Sequence, residues 1–491
     1  MSLHLFNTLG RKIEPFSPIT KGKVGFYGCG PTVYNYAHIG NLRAYITHDI
    51  LVRTLRQRGY AVTHVMNVTD VGHLTGDDDS GDDKMIKSAQ ERGKSVLEVA
   101  DFYTKAFFND TQRLNIMRPD VVCKATEHID VMVSLIKKIE SAGCTYSAGG
   151  NLYFDISKFP SYGELANLKT GDSSAAGAKA RVARVEIDGN KRNAGDFVLW
   201  FTKSKFENQA LLWDSPWGRG YPGWHIECSA MSIKYLGEQF DIHAGGIDHI
   251  QIHHTNEIAQ SESATGKHPW VRYWVHNEFL VLDKGKMSKS SGGFITLQDI
   301  IDDGFDPIDL RYFMLGAHYR SQLQFSPDAV KGAQNSRKSL LNSLKTVAAR
   351  ASGTSPYTIP NTQCPIPQAG AKYFDDFNAA LDDDLNTPRA LSALWALLKD
   401  TSVPAADILA CALLMDAVLG LKLADSLQNS ADDAVTHLDS ALTAEIDALI
   451  AERALAKKEK DFAKADSIRN LLQERGIILE DTPKGTTWHT A

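Results

Sequence analysis

Residues 23–41 read KVGFYGCGPTVYNYAHIGN, and the way this stretch folds sets the organisation of the whole chain. KVGFYGCG is a short apolar run ending in glycines, the pattern of a buried strand entering a tight turn. Beyond the turn, LRAYITHDILVRTLRQRGY at 42–60 carries apolar residues at helical spacing and stops at a glycine. AVTHVMNVTDVG at 61–72 reads as a second strand. Strand, glycine-containing turn, helix and strand in this order open a parallel α/β nucleotide-binding fold.

Working outward, the α/β pattern occupies residues 1–120 and is then interrupted. Over 121–215 a helical stretch, IDVMVSLIKKIESAG, gives way to the strand-like NLYFDI and to the small-residue run TGDSSAAGAKARV, which predicts an insertion with a mobile connector. The pattern resumes over 216–325 with GWHIECSAMSIKYLG, FDIHAGG and a helix containing HHTNEIAQSESATG. From 326 to 432 the apolar spacing in KSLLNSLKTVAARA and ALSALWALLKD predicts a helical bundle, broken by the Pro- and Ser-containing stretch 352–370. The last region, 433–491, reads as a long charge-balanced helical stretch with a small strand-and-turn end. A chain of 491 residues exceeds one hydrophobic core, so several domains are expected.

Composition narrows the function classes. No apolar run approaches the length needed to span a bilayer, and MSLHLFNTLGRKIEPF lacks the features of a secretory signal, so no membrane association and a cytoplasmic location are expected. Six cysteines, at 29, 123, 144, 228, 364 and 411, are too scattered for a disulfide framework; a special cysteine here is a ligand or a nucleophile. The net charge of −6 argues against gripping nucleic acid by charge alone, although local patches can still bind RNA.

Two separated elements suit ATP. Activating a carboxylate with ATP places extra negative charge on the α-phosphate, which calls for fixed donors around it. His38 stands at a turn leading into a helix N-terminus, and Gly40 lets the backbone approach a nucleotide. Far along the chain, KMSKS puts Lys286 and Lys289 three apart on a Gly- and Ser-rich loop able to close over phosphates. Either element alone is weak evidence, since a two-lysine loop is more often solvated surface. Together, in this order, they indicate binding of ATP with its Mg2+. The Asp-rich stretch 77–83 reads as a solvated loop.

A third constellation suggests a metal. Cys29, Cys228 and the HHTNE segment at 253–257 each offer a ligand near a predicted strand end. His253 and Glu257 would share a helix face, as would His254 and Glu257, and spacing does not choose between them. Two cysteines, one histidine and one carboxylate are acceptable tetrahedral Zn2+ ligands. A lone buried cysteine is more often a small core residue, and no CxxC pair supports the metal.

FYGCGPTVYNYAHIGN, LLWDSPWGRGYPGWHIECSAMS, FDIHAGGIDHIQIHHTNEIAQSE and GKMSKSSG resemble the corresponding blocks of cysteinyl-tRNA synthetases, which are class I aminoacyl-tRNA synthetases. The resemblance continues through DDDLNTPRAL and KADSIRNLLQERGIILEDTPKGTTW and covers nearly the whole chain. It implies a Rossmann-type catalytic domain split by a connective-peptide insertion, a helical-bundle anticodon-binding domain and a small C-terminal domain that helps read the anticodon. The implied ligands of one zinc ion are Cys29, Cys228, His253 and Glu257, which favours His253 over His254. Trp224 is implied to cover the small substrate and Asp248 to hold its ammonium; a core tryptophan and a turn aspartate are the structural alternatives. The implied ATP contacts are His38, Gly40, Asn41, Lys286 and Lys289. Asn41 stands where many class I enzymes have histidine, and it cannot carry charge. The substrates expected are ATP, L-cysteine and tRNA(Cys), handled by a monomer. Arg453 and Arg469, with Trp488 as a stacking surface, suit contacts to unstacked bases. An amino-sugar ligase of mycothiol biosynthesis resembles the same catalytic domain but lacks the long C-terminal extension. A non-catalytic tRNA-binding relative would be expected to have lost ATP or metal residues that this chain retains.

Overall fold

The structure is a computed structural model that describes residues 2–71, 84–168, 189–203, 211–282, 285–286, 294–351, 366–459, 461–475, 477–482 and 485–490. The chain divides after Lys422 into two compact units. The first opens with an antiparallel ribbon, β1 (His4–Asn7) and β2 (Lys12–Pro15). Then come β3 (Lys23–Gly28), α1 (Ile39–Gln57) and β4 (Ala61–Val68), the elements expected from the opening stretch. α2 (Lys84–Arg92) and α3 (Val96–Arg113) lead to β5 (Val121–Lys124).

The helix foreseen near 129–143 is α4 (Ile129–Ser141), which buries Met132, Leu135, Ile136 and Ile139 along one stripe. Truncating one of these to alanine costs about 2–5 kcal/mol. Four strands follow, β6 (Thr145–Ala148), β7 (Asn151–Phe154), β8 (Phe197–Phe201) and β9 (Tyr221–Pro222), paired antiparallel in sequence order. The expected connector at 170–182 lies outside the described residues. β5 joins the parallel sheet and β9 the antiparallel one, so both seams of the insertion fall a few residues later than composition suggests. Strand pairing, not composition, sets such boundaries.

α5 (Trp224–Leu236), β10 (Phe240–Gly246), α6 (His253–Thr265) and β11 (Val271–Asn277) restore the α/β pattern. The main sheet has the order β11-β10-β3-β4-β5 and every pairing in it is parallel. The chain starts at β3 and moves outward to β5, then returns to add β10 and β11 on the other side. β3 and β10 therefore form the topological switch point, and a ligand crevice is expected beyond their carboxyl ends. The core beneath is dense with Trp200, Trp270 and Trp274, each fully buried.

A small sheet follows, β12 (Leu280–Leu282), β13 (Gly285–Lys286) and, after α7 (Leu297–Asp302) and α8 (Pro307–Leu315), β14 (Leu323–Gln324). The bundle comprises α9 (Pro327–Arg350), α10 (Ala371–Asp382), α11 (Thr387–Lys399) and α12 (Ala405–Leu419). α8, α9 and α11 start alike, with Asp306, Ser326 or Asn386 capping the helix and proline in its first turn. There the missing N–H costs nothing and the fixed φ suits the helix.

The second unit holds α13 (Leu423–Lys458), α14 (Phe462–Glu474) and the hairpin β15 (Ile477–Thr482) and β16 (Gly485–Thr490), around a core of Ile446, Ile468, Leu472, Ile477 and Leu479. Among the described residues no helix is long and apolar enough to cross a membrane.

Candidate active site at the switch point

Cys29 follows β3 directly, held by a hydrogen bond from its N–H to the Ala244 carbonyl of β10 at 3.1 Å. The glycines on either side answer to close approach. A Cβ at Gly28 would lie 2.9 Å from His48 Nδ1, and one at Gly30 would overlap the Asn67 carbonyl oxygen. Across the switch point β10 ends at Gly246, a short turn carries Asp248, and α6 begins at His253. α5 packs on α6 and brings Cys228 inward.

One ligand atom each from Cys29, Cys228, His253 and Glu257 lies within 4.8 Å of the others, and all four residues are buried. Cys29, His243, His254 and Glu257 satisfy the same distance. Reach therefore leaves the choice of histidine open, and hydrogen bonding separates the roles. His253 directs Nε2 to Glu257 Oε1 at 3.0 Å and Nδ1 to His225 Nδ1 at 3.0 Å. His254 has Nδ1 at 2.8 Å from His276 Nε2, whose Nδ1 lies 2.8 Å from Thr8 Oγ1, and its Nε2 is 3.2 Å from Cys29 Sγ. His243 Nε2 lies 2.9 Å from Glu257 Oε2 and its ring stacks on Trp274. The set with two sulfurs is the better one for a borderline-soft ion, and His225 and His243 occupy the positions of partners that orient ligands.

The charges agree. Burial would push the Glu257 carboxyl up, but His243 and His253 outweigh it and hold it down at about 2. Burial likewise opposes charge on His253, yet Glu257 and Cys228 raise it to about 10. A hydrogen bond from Cys29 brings the Cys228 thiol down to about 6 against the effect of burial. Burial and its like-charged neighbours keep His254 well below the usual imidazole value, hence neutral. The cluster thus holds two anionic donors around one proton on His253. Glu257 Oε1, though 3.0 Å from His253 Nε2, has no aligned hydrogen-bond donor. Two sulfurs, an imidazole and a carboxylate, two of the four deprotonated and one oxygen without an aligned donor, fit a divalent metal that would displace that proton.

Trp224 is half-buried and its indole lies over His253, ring centres 4.3 Å apart. Asp248 is exposed, close enough for its charge to raise the Cys29 thiol along with larger contributions from burial, Cys228 and Glu257. His38 caps α1: its Nδ1 accepts from the Asn41 N–H at 3.0 Å, and Asn41 Oδ1 accepts from the His38 N–H at 3.3 Å. This reciprocal cap gives Asn41 a structural role that needs no charge. Gly40 keeps the approach to that imidazole open, since a Cβ there would crowd it at 3.0 Å. Lys286 ends β13, and Lys289 lies outside the described residues. In the second unit Arg469 is exposed, but Arg453 is only 3% exposed, so it is not the surface contact its charge suggests. Trp488 lies on β16.

His225, His243 and His276 were not anticipated from motifs, and His254 was weighed only as an alternative ligand. A signal was present, because seven of the 16 histidines fall between 225 and 276.

Residues 15–335 match the family described as tRNA synthetases class I (C) catalytic domain, 376–406 the DALR domain, and 439–488 the cysteinyl-tRNA ligase anticodon binding domain. In fold the chain is similar to Mycobacterium tuberculosis methionyl-tRNA synthetase in complex with methionyl-adenylate, at TM-score 0.55 and 16% identity over 82% of this chain and 91% of that one. The architecture is that of a class I synthetase. The sequence is 60% identical to the cysteine–tRNA ligase of Treponema denticola and 48% identical to that of Treponema pallidum, in each case over 99% of both chains. The chain belongs to the cysteinyl-tRNA synthetase (cysteine–tRNA ligase) family of class I tRNA synthetases.

Proposed function

We propose that the protein activates L-cysteine with ATP and transfers it to the 3′ end of tRNA(Cys). The observation that carries this reading is the convergence of Cys29, Cys228, His253 and Glu257 at the switch point, one turn of chain away from the ATP signature. These four would hold a zinc ion, which supplies a soft contact that lowers the pKa of a bound thiol and prefers sulfur to the hydroxyl of serine. Trp224, its ring tilted over His253, closes the pocket over a side chain as small as cysteine's, and Asp248 pairs with its ammonium.

In the first step the cysteine carboxylate attacks the α-phosphate of Mg-ATP, giving the adenylate and pyrophosphate. His38 and the N-terminus of α1 stabilise the charge that grows on the α-phosphate, with Gly40 and Asn41 shaping that turn; Lys286 and Lys289 neutralise the departing pyrophosphate. In the second step a ribose hydroxyl of the tRNA takes the acyl group. No covalent enzyme intermediate is needed, so positioning and electrostatics supply the rate. The segments matching the DALR and anticodon-binding families are the parts that read the tRNA. A cytoplasmic monomer completes the reading.

The test is cysteine-dependent ATP–pyrophosphate exchange with serine as control, followed by transfer to tRNA bearing the GCA anticodon. Exchange without transfer indicates an amino-sugar ligase, and no exchange a binding protein. Lys289→Ala should lower adenylate formation by about 10²-fold while leaving cysteine binding intact; equal losses in both would remove Lys289 from the mechanism.

A further inference from the structure

Arg43 lies in the first turns of α1, two residues past Asn41, and is only 2% exposed. Among the described residues no carboxylate pairs with it. Its Nη1 donates to the carbonyls of Glu278 at 3.0 Å and Phe279 at 2.6 Å, and its Nη2 to those of His318 at 3.2 Å and Ser321 at 2.6 Å. Burial lowers the guanidinium pKa to about 10, so it remains charged at neutral pH. A buried cation bonded to carbonyl dipoles, with the Glu278 carboxylate only partly offsetting its burial, is expensive to keep. What it secures is the meeting of two chain segments.

Those segments are the roots of the small sheet that carries Lys286. Glu278 and Phe279 lead into β12, whose Val281 pairs with Lys286 of β13; His318 to Ser321 lead into β14, whose Leu323 pairs with Leu280 of β12. The Phe279 carbonyl receives the Leu323 N–H at 3.1 Å as well as Arg43, and the Glu278 N–H donates to the Tyr319 carbonyl at 2.8 Å. The other flank of the KMSKS stretch is tied to the same helix. The Ile39 N–H donates to the Ile295 carbonyl at 2.8 Å, and His38 bridges Thr296.

We propose that Arg43 is a positioning residue: it fixes the root of the Lys286-bearing strand on the helix that starts at His38, so both ATP-binding elements share one base. The proposal rests on the assignment of His38, Lys286 and Lys289 to the ATP phosphates. Lysine at this position keeps the charge but loses the planar fork that reaches four carbonyls.

Arg43→Lys should therefore lower cysteine-dependent pyrophosphate exchange by roughly 10- to 100-fold, through kcat and the KM for ATP, because small misplacements of reacting groups cost rate on that scale. Cysteine affinity by equilibrium dialysis and zinc content by elemental analysis should stay at the parent values. A merely structural defect would reduce all of them together. In a Lys289→Ala background the same change should add less than about threefold, since both act on the same phosphates. If Lys289→Ala alone leaves exchange unaltered, the ATP assignment fails and this proposal with it. If Lys289→Ala lowers exchange but Arg43→Lys does not, or if the two losses multiply, the positioning role alone is overturned. Should Arg43→Lys not fold, amide exchange on the unaltered protein decides. The Glu278 and Leu323 amides should be protected as strongly as those of α1, and exchange at the rate of exposed chain would overturn the proposal.

Discussion

Asp49 and Glu257 are enclosed to the same degree, at 2% and 0% exposure, yet one carboxylate is structural and the other faces a site. Asp49 is saturated. Its Oδ2 accepts from Arg53 Nε at 2.8 Å and Arg311 Nη2 at 2.6 Å, and its Oδ1 from the Met117 N–H at 2.9 Å. Arg311 directs Nε to the Leu419 carbonyl at 2.7 Å and Nη1 to those of Leu114 and Asn115 at 3.1 and 3.2 Å. The network ties α1, α8 and the end of α12 together and offers nothing to a ligand. Around Glu257, two thiols, a ring nitrogen and a carboxylate oxygen converge, and Oε1 has no aligned donor. Buried charge is common to both places. Convergent, unsatisfied lone pairs are found only at the second of the two, and they mark function more reliably than burial does.

The contrast breaks most visibly at the ligands. Cys228→Ser and Glu257→Gln should each lose bound zinc, and the preference for cysteine over serine should fall from about 10⁴-fold toward the roughly 10²-fold that a pocket of fixed size supplies. Metal analysis and exchange assays with the two amino acids check this, and retained stoichiometric zinc with full discrimination would end the zinc assignment. Asp49→Ala should do the opposite. It leaves Arg311 buried without its counter-charge, so urea unfolding should show a loss of about 3–5 kcal/mol, while zinc content and the cysteine preference of the folded protein persist. Lost discrimination with unchanged stability would invert the comparison.

The sequence made the frame legible because local signals and tertiary structure agree there. The strand, turn and helix of residues 23–60 appear as β3, the capped turn and α1, and the stripe of Met132, Leu135, Ile136 and Ile139 appears as α4. The proposed ligand quartet was legible as residue types near strand ends; spacing left His253 and His254 equivalent, and the resemblance favoured His253. In the fold, hydrogen-bond partners contributed by α5, β10 and β11 give the two rings different surroundings, and those arise from the sheet order. Arg453 shows the converse. Charge in a helical pattern suggests a surface, whereas the register of α13 buries it. Asn41 looked like a weakened catalytic position, and its backbone partner reveals a cap.

The smallest of the expected effects sharpens the contrast furthest, because it lies one residue away from the ligands. His225 touches His253 through a contact between the two Nδ1 atoms at 3.0 Å, so one of the two must carry the proton and the pair fixes which nitrogen His253 turns toward Glu257. If His225 serves the site, His225→Ala should weaken zinc binding by about 10- to 100-fold in competition with a chelator, and should shift the urea midpoint far less than Asp49→Ala does. His225→Gln, which can still donate to an imidazole nitrogen, should recover part of that affinity. If stability falls as it does for Asp49→Ala while metal affinity holds, His225 belongs with the saturated network, and the boundary of the site contracts to the four ligands themselves.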